Sequence, residues 1–245
     1  MRHAFFSSSR PLVFAHRGGG ALAPENTLAA FDNGVRLGAD GIELDVHLSR
    51  DGVVVVHHDA RLDRTTPLRG PIAERTAREL AAVGVPALAD VLARHRDTRV
   101  IVEMKVNRRG LAAATIDVVR RAGALERVCL GSFGLRVLRA ARAMEPRIAT
   151  SAAREEVRWA LYRSWCRWPV SRVPYAGYQV PEITGRTRVV SRRFVEYAHR
   201  AGLGVHVWTV DREDEARRLL GWGVDALITD RPDIMVQLVR SRIGD

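Results

Sequence analysis

Short apolar runs typical of buried strands alternate with helical patterns along almost the whole chain. The segments 41–46 and 99–104 are typical of strands, while 111–121 carries apolar residues at helical spacing. Each strand followed by a helix implies a parallel neighbour, because the helix must carry the chain back to the starting edge of the sheet. About eight such pairs in 245 residues predict an α/β protein, a single (β/α)8 TIM barrel. A doubly wound open sheet is the alternative, but no GxGxxG motif follows the first strand.

One connection is longer than the rest. Residues 59–85 join a β-branched run at 53–58 to the helix predicted at 87–94, and most βα loops are far shorter. We interpret this stretch as a small insertion after the second strand, on the catalytic face. Eight units leave little chain for a second domain, so we expect one domain over residues 1–245.

The composition excludes several classes of protein. Hydrophobic residues make up 47% and charged residues 27%, which is typical of a globular chain and not of a disordered one. No apolar run approaches the roughly 20 residues that a membrane span needs, and the apolar piece near the start is too short for a secretory signal. Two cysteines cannot form a disulfide framework, so we expect a reducing cytoplasm.

The chain is strongly basic, with a formal net charge of +11. Of the 39 basic residues only Lys105 is a lysine; the others are arginines scattered through nearly every segment. Such scatter favours a compositional bias over a nucleic-acid surface, and we expect no nucleic-acid partner. It also makes the one lysine informative, because an ammonium and a guanidinium are not interchangeable at a specific contact.

Polar residues cluster where predicted strands end, which is where (β/α)8 barrels carry their chemistry. Glu43 and Asp45 lie two residues apart on the second strand, so their side chains share a face. Glu103 and Lys105 have the same spacing at the third strand. Three carboxylates on apolar strands favour a hard divalent cation, Mg²⁺ or Ca²⁺ with Mn²⁺ as a further choice, over structural zinc. Ion pairs with inward-pointing arginines are the alternative.

Two histidines complete this set. His16 follows the first strand and His58 ends the β-branched run, which makes them candidates for a general acid and a general base. His57 faces the other way on an extended strand and is interpreted as structural, whereas His47 is either a further site residue or part of a turn.

Other polar residues at these strand ends are candidates for substrate contacts. Arg17 and Lys105 would hold a phosphoryl group beside the metal. Gln179 and Trp208 end the sixth and seventh strands and are candidate pocket residues.

Ten short stretches occur in the order typical of one known family over nearly the whole chain. They are His16-Arg17-Gly18, Pro24-Glu25-Asn26-Thr27, Gly41-Ile42-Glu43-Leu44-Asp45-Val46, Asp51-Gly52, His58-Asp59, Leu62-Asp63-Arg64-Thr65-Thr66, Glu103-Met104-Lys105, Ser132-Phe133, Trp208-Thr209-Val210 and Gly223-Val224-Asp225-Ala226-Leu227-Ile228-Thr229-Asp230. At these residues the chain resembles the glycerophosphodiester phosphodiesterase family. Asp211 stands where that family often has Asn.

The resemblance implies a (β/α)8 barrel that hydrolyses a glycerophosphodiester to glycerol 3-phosphate and an alcohol. It implies that Glu43, Asp45 and Glu103 bind a divalent ion and that His16 and His58 are the acid–base pair. Arg17 and Lys105 would contact phosphate. A non-catalytic barrel that binds a phosphorylated ligand is a weaker alternative, because it leaves the histidines and carboxylates without a role.

The segment 154–178 interleaves tryptophan, tyrosine and arginine. One interpretation is a barrel helix that buries its aromatic residues against the sheet, with Leu161, Trp165 and Trp168 on one face. The other is contact with a membrane interface, which would suit hydrolysis of lysophospholipids by a lysophospholipase D activity. We therefore expect a cytoplasmic protein, or one peripheral to the inner face of the membrane; the sequence leaves its oligomeric state open.

Overall fold

A computed structural model describes residues 3–168 and 172–242 of the chain. Eight parallel strands form its centre. They are β1 (Leu12–His16), β2 (Gly41–Leu48), β3 (Arg99–Met104), β4 (Val128–Gly131), β5 (Ala149–Thr150), β6 (Gly177–Pro181), β7 (Gly204–Trp208) and β8 (Ala226–Thr229).

The strands pair in the order β5-β4-β3-β2-β1-β8-β7-β6, with every neighbouring pair parallel. A parallel bridge between Ser151 and Gly177 joins the two ends of this order, so the sheet is a nearly closed barrel. The predicted (β/α)8 barrel is confirmed, and the open doubly wound sheet is wrong.

A helix follows each barrel strand and packs outside it. These helices are α1 (Leu28–Arg36), α2 (Leu88–Arg94), α3 (Arg109–Arg121), α4 (Leu135–Met144), α5 (Arg154–Cys166), α6 (Arg192–Arg200), α7 (Glu213–Gly221) and α8 (Pro232–Ser241). None of the helices in residues 3–168 and 172–242 is long and apolar enough to cross a membrane.

The insertion after β2 begins with a short strand, Val54–Val56, that pairs antiparallel with β2 and stays outside the barrel order. The following residues form one helical turn at Ala77–Ala81 and a small apolar core of their own, which includes Leu62 and Leu80. The backbone N–H of His57 donates to the carbonyl of Asp45 at 2.9 Å. That hydrogen bond holds the start of the insertion against β2, beside the site.

Aromatic side chains close the barrel at the end opposite the site. Phe5, Phe6 and Phe14 are buried there; Phe5 and Phe6 contact His206 in the middle of β7, and all three share a cluster with Ala226 at the start of β8. The ring of Phe6 lies against the backbone of Gly204, where a Cβ atom would come within 2.6 Å of a ring carbon. A glycine is required at this strand position because the phenyl ring occupies the volume of a side chain.

We therefore expect Gly204→Ala to lower the free energy of unfolding by about 1–3 kcal/mol, the usual cost of overpacking a core. Thermal or urea unfolding of the purified variant measures this. Gly110→Ala is the matched control, because Gly110 lies in the first turn of α3, where the added methyl group has no atom within 4 Å apart from its own helix backbone and chain neighbours. Equal stability of the two variants would contradict the proposed contact.

Candidate active site

A cavity of about 830 Å³ opens at the carboxyl ends of the barrel strands. Every residue predicted for the site lines it except Asp45, which is buried with 1% of its surface exposed. The lining set is His16, Arg17, Glu43, His58, Glu103, Lys105, Gln179 and Trp208. The barrel therefore brings together residues that are up to 192 positions apart in the sequence.

Strand register places three carboxylates side by side. Asp45 on β2 pairs with Glu103 on β3, and Glu43 lies two residues before Asp45 on the same face. Ligand oxygens of the three side chains all lie within 4.8 Å of one another. An oxygen-only donor set at this spacing suits a hard divalent cation.

Two cationic side chains contact this group of carboxylates. The Lys105 ammonium lies 3.2 Å from a carboxylate oxygen of Asp45 and 3.4 Å from one of Glu103. The guanidinium Nε of Arg17 lies 3.3 Å from the other Asp45 oxygen. The ion pairs foreseen as the alternative to a metal site are thus present, but they offset only two of the three negative charges.

Glu43 is left with the weakest compensation. Burial, and then the neighbouring charge of Asp45, raises the pKa of Glu43 to about 8. The pKa of Glu103 is raised as well, again chiefly by burial. A further positive charge at this position would let all three carboxylates ionise at neutral pH, so the residues present fit a divalent ion.

His16 lies beside this cluster, because its position on β1 pairs with Glu43 on β2. Its Nδ1 is 2.8 Å from the Asp230 carboxylate, and its Nε2 is 3.8 Å from that of Glu43. Burial lowers the pKa of His16, but the hydrogen bond to Asp230 and the nearby carboxylates outweigh it, so the net shift is upward. Asp230 fixes which nitrogen of the ring faces the cavity.

Asp230 is itself held by Asp211, the residue that stands where the family often has Asn. One Asp211 carboxylate oxygen accepts from the backbone N–H of Asp230 at 2.8 Å and from the Thr229 hydroxyl at 2.9 Å. Both contacts need only an acceptor oxygen. The change from Asn to Asp therefore leaves this support for His16 intact.

His58 lies at the insertion edge of the same cavity. Its Nδ1 is 2.7 Å from the Asp59 carboxylate, which also accepts from Arg64 at 2.6 Å. Burial lowers the pKa of His58, and the hydrogen bond to Asp59 offsets only part of that. The pKa values of the two histidines thus shift in opposite directions, and each ring is oriented by a carboxylate.

Asn26 is a site residue that the sequence did not single out; it directly precedes Thr27, whose side chain caps α1. The Asn26 side-chain amide donates to a carboxylate oxygen of Asp45 at 2.9 Å, and its carbonyl accepts from the Asp45 backbone at 3.3 Å. Its left-handed backbone (φ 58°), a conformation that asparagine tolerates, turns the side chain toward β2. In the sequence, its place in the Pro24–Thr27 motif is the feature that could have indicated a role in the site.

The neighbouring Glu25 was also not singled out. Its carboxylate pairs with Arg64 at 2.6 Å and with Arg17 at 3.3 Å. Since Arg64 also holds Asp59, Glu25 links the loop after β1 to the insertion that carries His58.

Two further histidines lie behind this edge. His57 is buried, with its ring nitrogens on the Asp59 carbonyl and the Thr65 hydroxyl at 2.8 and 2.9 Å, consistent with a structural group. His47 is buried on β2, not in a turn, and contacts the His58 carbonyl at 3.1 Å. Neither lines the main cavity.

Gln179 and Trp208 form the wall opposite the insertion. Trp208 packs edge-on against the half-exposed ring of Phe133, with centroids 5.9 Å apart. The guanidinium of Arg154 lies 5.1 Å from the same Phe133 ring. The Gln179 amide is 3.7 Å from the sulfur of Cys129, within the barrel.

The aromatic residues of 154–178 divide into two groups. Tyr175 and Tyr178 are buried, whereas Trp159, Tyr162, Trp165 and Trp168 are exposed by 47% to 65%. The interpretation of a helix that buries its tryptophans is therefore wrong. Trp168 lies past the end of α5, and of the predicted buried face only Leu161 is in the core. Residues 169–171 of the segment lie outside the described part of the chain.

Comparison with known proteins points to one family. The sequence profile of the glycerophosphoryl diester phosphodiesterase family matches residues 16–234. A glycerophosphodiester phosphodiesterase of Caldanaerobacter subterraneus is 33% identical, over 94% of this chain and 98% of that protein.

Two solved structures share the fold. A phosphodiesterase of Oleispira antarctica, solved in complex with the product sn-glycerol-3-phosphate, superposes with a TM-score of 0.76 at 26% identity, covering 96% of this chain and 98% of that one. A glycerophosphoryl diester phosphodiesterase domain of Mycobacterium tuberculosis has a TM-score of 0.82 at 23% identity, covering 94% and 99%; at that identity the likeness concerns the fold alone.

The acidic cluster predicts stabilisation by a divalent ion. After treatment with EDTA, we expect Mg²⁺ or Ca²⁺ at a hundred times its Kd to add about 3 kcal/mol to the free energy of unfolding. For a chain of this size that is a rise in Tm of about 5–10 °C. Glu103→Gln removes one ligand charge and should lose most of the rise.

Glu213→Gln is the control, since it removes the same charge on the exposed surface of α7. A Tm that does not respond to either ion, or that rises equally in the wild type and Glu103→Gln, would argue against a cation at this cluster.

Proposed function

The chain belongs to the glycerophosphoryl diester phosphodiesterase family, and we propose that it hydrolyses glycerophosphodiesters to glycerol 3-phosphate and an alcohol by metal-dependent His/His acid–base catalysis. The observation that carries the proposal is the convergence of two carboxylate-oriented histidines on two buried carboxylates and one half-buried carboxylate in one cavity. The sn-glycerol-3-phosphate product in the Oleispira antarctica enzyme supports the same substrate class.

In this proposal Glu43, Asp45 and Glu103 hold one divalent ion, Mg²⁺ or Ca²⁺ with Mn²⁺ as a further choice. When bound, such an ion would draw charge from a phosphoryl oxygen and so stabilise the transition state. Asn26 keeps Asp45 in place through its amide. Arg17 and Lys105, already next to these carboxylates, would bind oxygens of the phosphate.

The two histidines transfer the protons. One takes a proton from the nucleophile, which is water or the 2-hydroxyl of the glycerol. The other gives a proton to the leaving alkoxide, a group too basic to depart unaided. Asp230 and Asp59 keep each imidazole turned toward the cavity and stabilise its protonated form. Gln179 and Trp208 would line the opposite side of the bound diester.

The domain organisation follows from the same reasoning. We propose that residues 1–245 act as one glycerophosphodiester phosphodiesterase-like domain, with the insertion at about 59–85 forming one wall of its pocket. The family match over residues 16–234 and the position of His58 at the root of the insertion support this.

Removal of either histidine tests the mechanism. We expect His16→Ala and His58→Ala each to lower kcat on glycerophosphocholine by at least about 100-fold, the usual contribution of a positioned acid or base. Release of choline and of glycerol 3-phosphate is measured in the presence of Mg²⁺ or Ca²⁺, with circular dichroism to check folding.

His199→Gln is the control, because His199 lies on α6 outside the cavity. Near-normal kcat in either alanine variant would show that this histidine is not the proposed acid or base. Full activity of the wild type in EDTA would show that the reaction does not depend on a metal.

We also propose peripheral contact with the inner face of the cytoplasmic membrane through the segment 154–178. Trp159, Trp165 and Trp168 are exposed there, and Arg158 and Arg167 are exposed beside them. Tryptophan prefers the interfacial layer of a bilayer, and arginine is attracted to anionic headgroups. This surface therefore favours a membrane that contains anionic lipid.

The double variant Trp159→Ser/Trp168→Ser tests this contact. We expect it to lower the partition coefficient onto vesicles of phosphatidylcholine and phosphatidylglycerol at least tenfold, as measured by co-sedimentation. Val53→Ser, which removes an exposed apolar side chain from the turn after β2, is the control. Equal binding of the wild type and the double variant would exclude this segment as the contact.

A further inference from the structure

The cavity that holds the acidic cluster extends well beyond it. From His16 and Glu43 it continues as a groove along α5, where Val157, Leu161 and Trp165 line it. These three residues are spaced at i, i+4 and i+8, so they form one stripe along the helix. The stripe is about 12 Å long at the rise of an α-helix.

The other side of the groove is formed by β6 and the hairpin that follows it. Val180 and Val189 are buried there, and Thr184 and Thr187 lie on the two short strands of the hairpin, Ile183–Thr184 and Thr187–Arg188. The carboxylates are confined to the other end, and Arg154 and Arg158 are the charged side chains that line the cavity along α5. A glycerol and one phosphate need only the acidic end.

On the basis of the proposed function, we infer that the substrate is a glycerophosphodiester that carries one long hydrocarbon chain, and that this chain occupies the groove between α5 and the hairpin 183–188. Continuity with the acidic end argues for part of the substrate as the occupant. An aliphatic and aromatic lining argues for a hydrocarbon, because its burial removes apolar surface from water.

The outer wall of the groove also fits a substrate that comes from a bilayer. Tyr162 and Trp165 both line the groove and are about half exposed, with ring centroids 5.6 Å apart. Trp159 and Trp168 flank them on the exposed surface. A single-chain lipid can pass from the interface into this groove while its phosphate reaches Arg17 and Lys105.

The reaction has the same stoichiometry as the proposed hydrolysis. The bond between phosphorus and the oxygen of the leaving alcohol breaks, and an oxygen from water completes the phosphomonoester. The alkoxide takes one proton of the water through a histidine, and the other proton goes to solvent. Two kinds of substrate fit this inference. The hydrocarbon chain is either an acyl group on the glycerol, as in a lysophospholipid, or part of the leaving alcohol.

Chain length is the test. The kcat/KM of the wild type is measured for glycerophosphocholine and for lysophosphatidylcholines with acyl chains of four, six and eight carbons, all below their aggregation concentrations. Choline release is the readout. We expect kcat/KM to rise by up to about fourfold for each added methylene, the factor that corresponds to its burial. The octyl ester of glycerol 3-phosphate, assayed by glycerol 3-phosphate release, tests a chain on the alcohol.

A variant that fills the groove provides a second, independent test. Thr187 lies on the exposed hairpin, so Thr187→Trp fills the groove without disturbing the core. We expect it to lower the ratio of kcat/KM for the eight-carbon substrate to that for glycerophosphocholine at least tenfold. Arg186→Trp is the matched control: it places the same side chain at the turn of the same hairpin, outside the groove, and should keep the wild-type ratio.

The outcomes separate the inference from the function on which it rests. If glycerophosphocholine is hydrolysed but kcat/KM does not rise with any hydrocarbon chain, on the glycerol or on the alcohol, the proposed role of the groove is overturned and the proposed function stands. An unchanged ratio in Thr187→Trp overturns the role of the groove likewise. Failure to hydrolyse any of the diesters overturns the proposed function itself.

Discussion

Three carboxylates, two of them buried and one half-buried, packed beside two cationic side chains form the interaction on which the site depends. Glu43, Asp45 and Glu103 are costly to bury, and Arg17 and Lys105 offset only part of their charge. Burial, and then the charge of the neighbouring Asp45, raises the pKa of Glu43 to about 8. Removing one partner of such a cluster costs more than the pair itself contributes, because the other charge stays buried. The cluster therefore needs a fixed scaffold, and its charge suits a further cation.

The barrel supplies the scaffold through strand register. Because Asp45 pairs with Glu103 and His16 pairs with Glu43, a shift of one residue between β2 and either neighbour would turn a site residue away from the cavity. The aromatic cluster at the opposite end fills the barrel, so apolar packing fixes the strands while the polar end carries the chemistry. The loop after β1 adds Asn26, whose side chain donates a hydrogen bond to Asp45. The insertion after β2 adds His58, whose neighbour His57 donates its backbone N–H to the Asp45 carbonyl.

Periodicity in the sequence was enough to predict the barrel, the strand-end carboxylates and the two histidines, because strand faces alternate and parallel strands end at one edge. The roles given to those residues remain predictions. Asn26 was missed because its role depends on a left-handed turn and a contact across the fold, neither of which leaves a periodic pattern. The helix α5 was misjudged for a different reason. It carries aromatic residues on several faces, so spacing alone cannot say which face the barrel buries. Ala160 and Leu161 reach the core, and Val157 and Trp165 line the groove.

The basic composition has a local meaning at Lys105. Its ammonium contacts Asp45 and Glu103 at 3.2 and 3.4 Å, between carboxylates that come from adjacent strands. An ammonium is a compact charge with three donors, so it fits between two carboxylates that also face a third acid. The guanidinium of Arg17, by contrast, bridges Asp45 and Glu25 at the rim of the cluster, where its length and planarity are an advantage. In a chain that otherwise uses arginine, the single lysine thus lies between two carboxylates that a second cation would share.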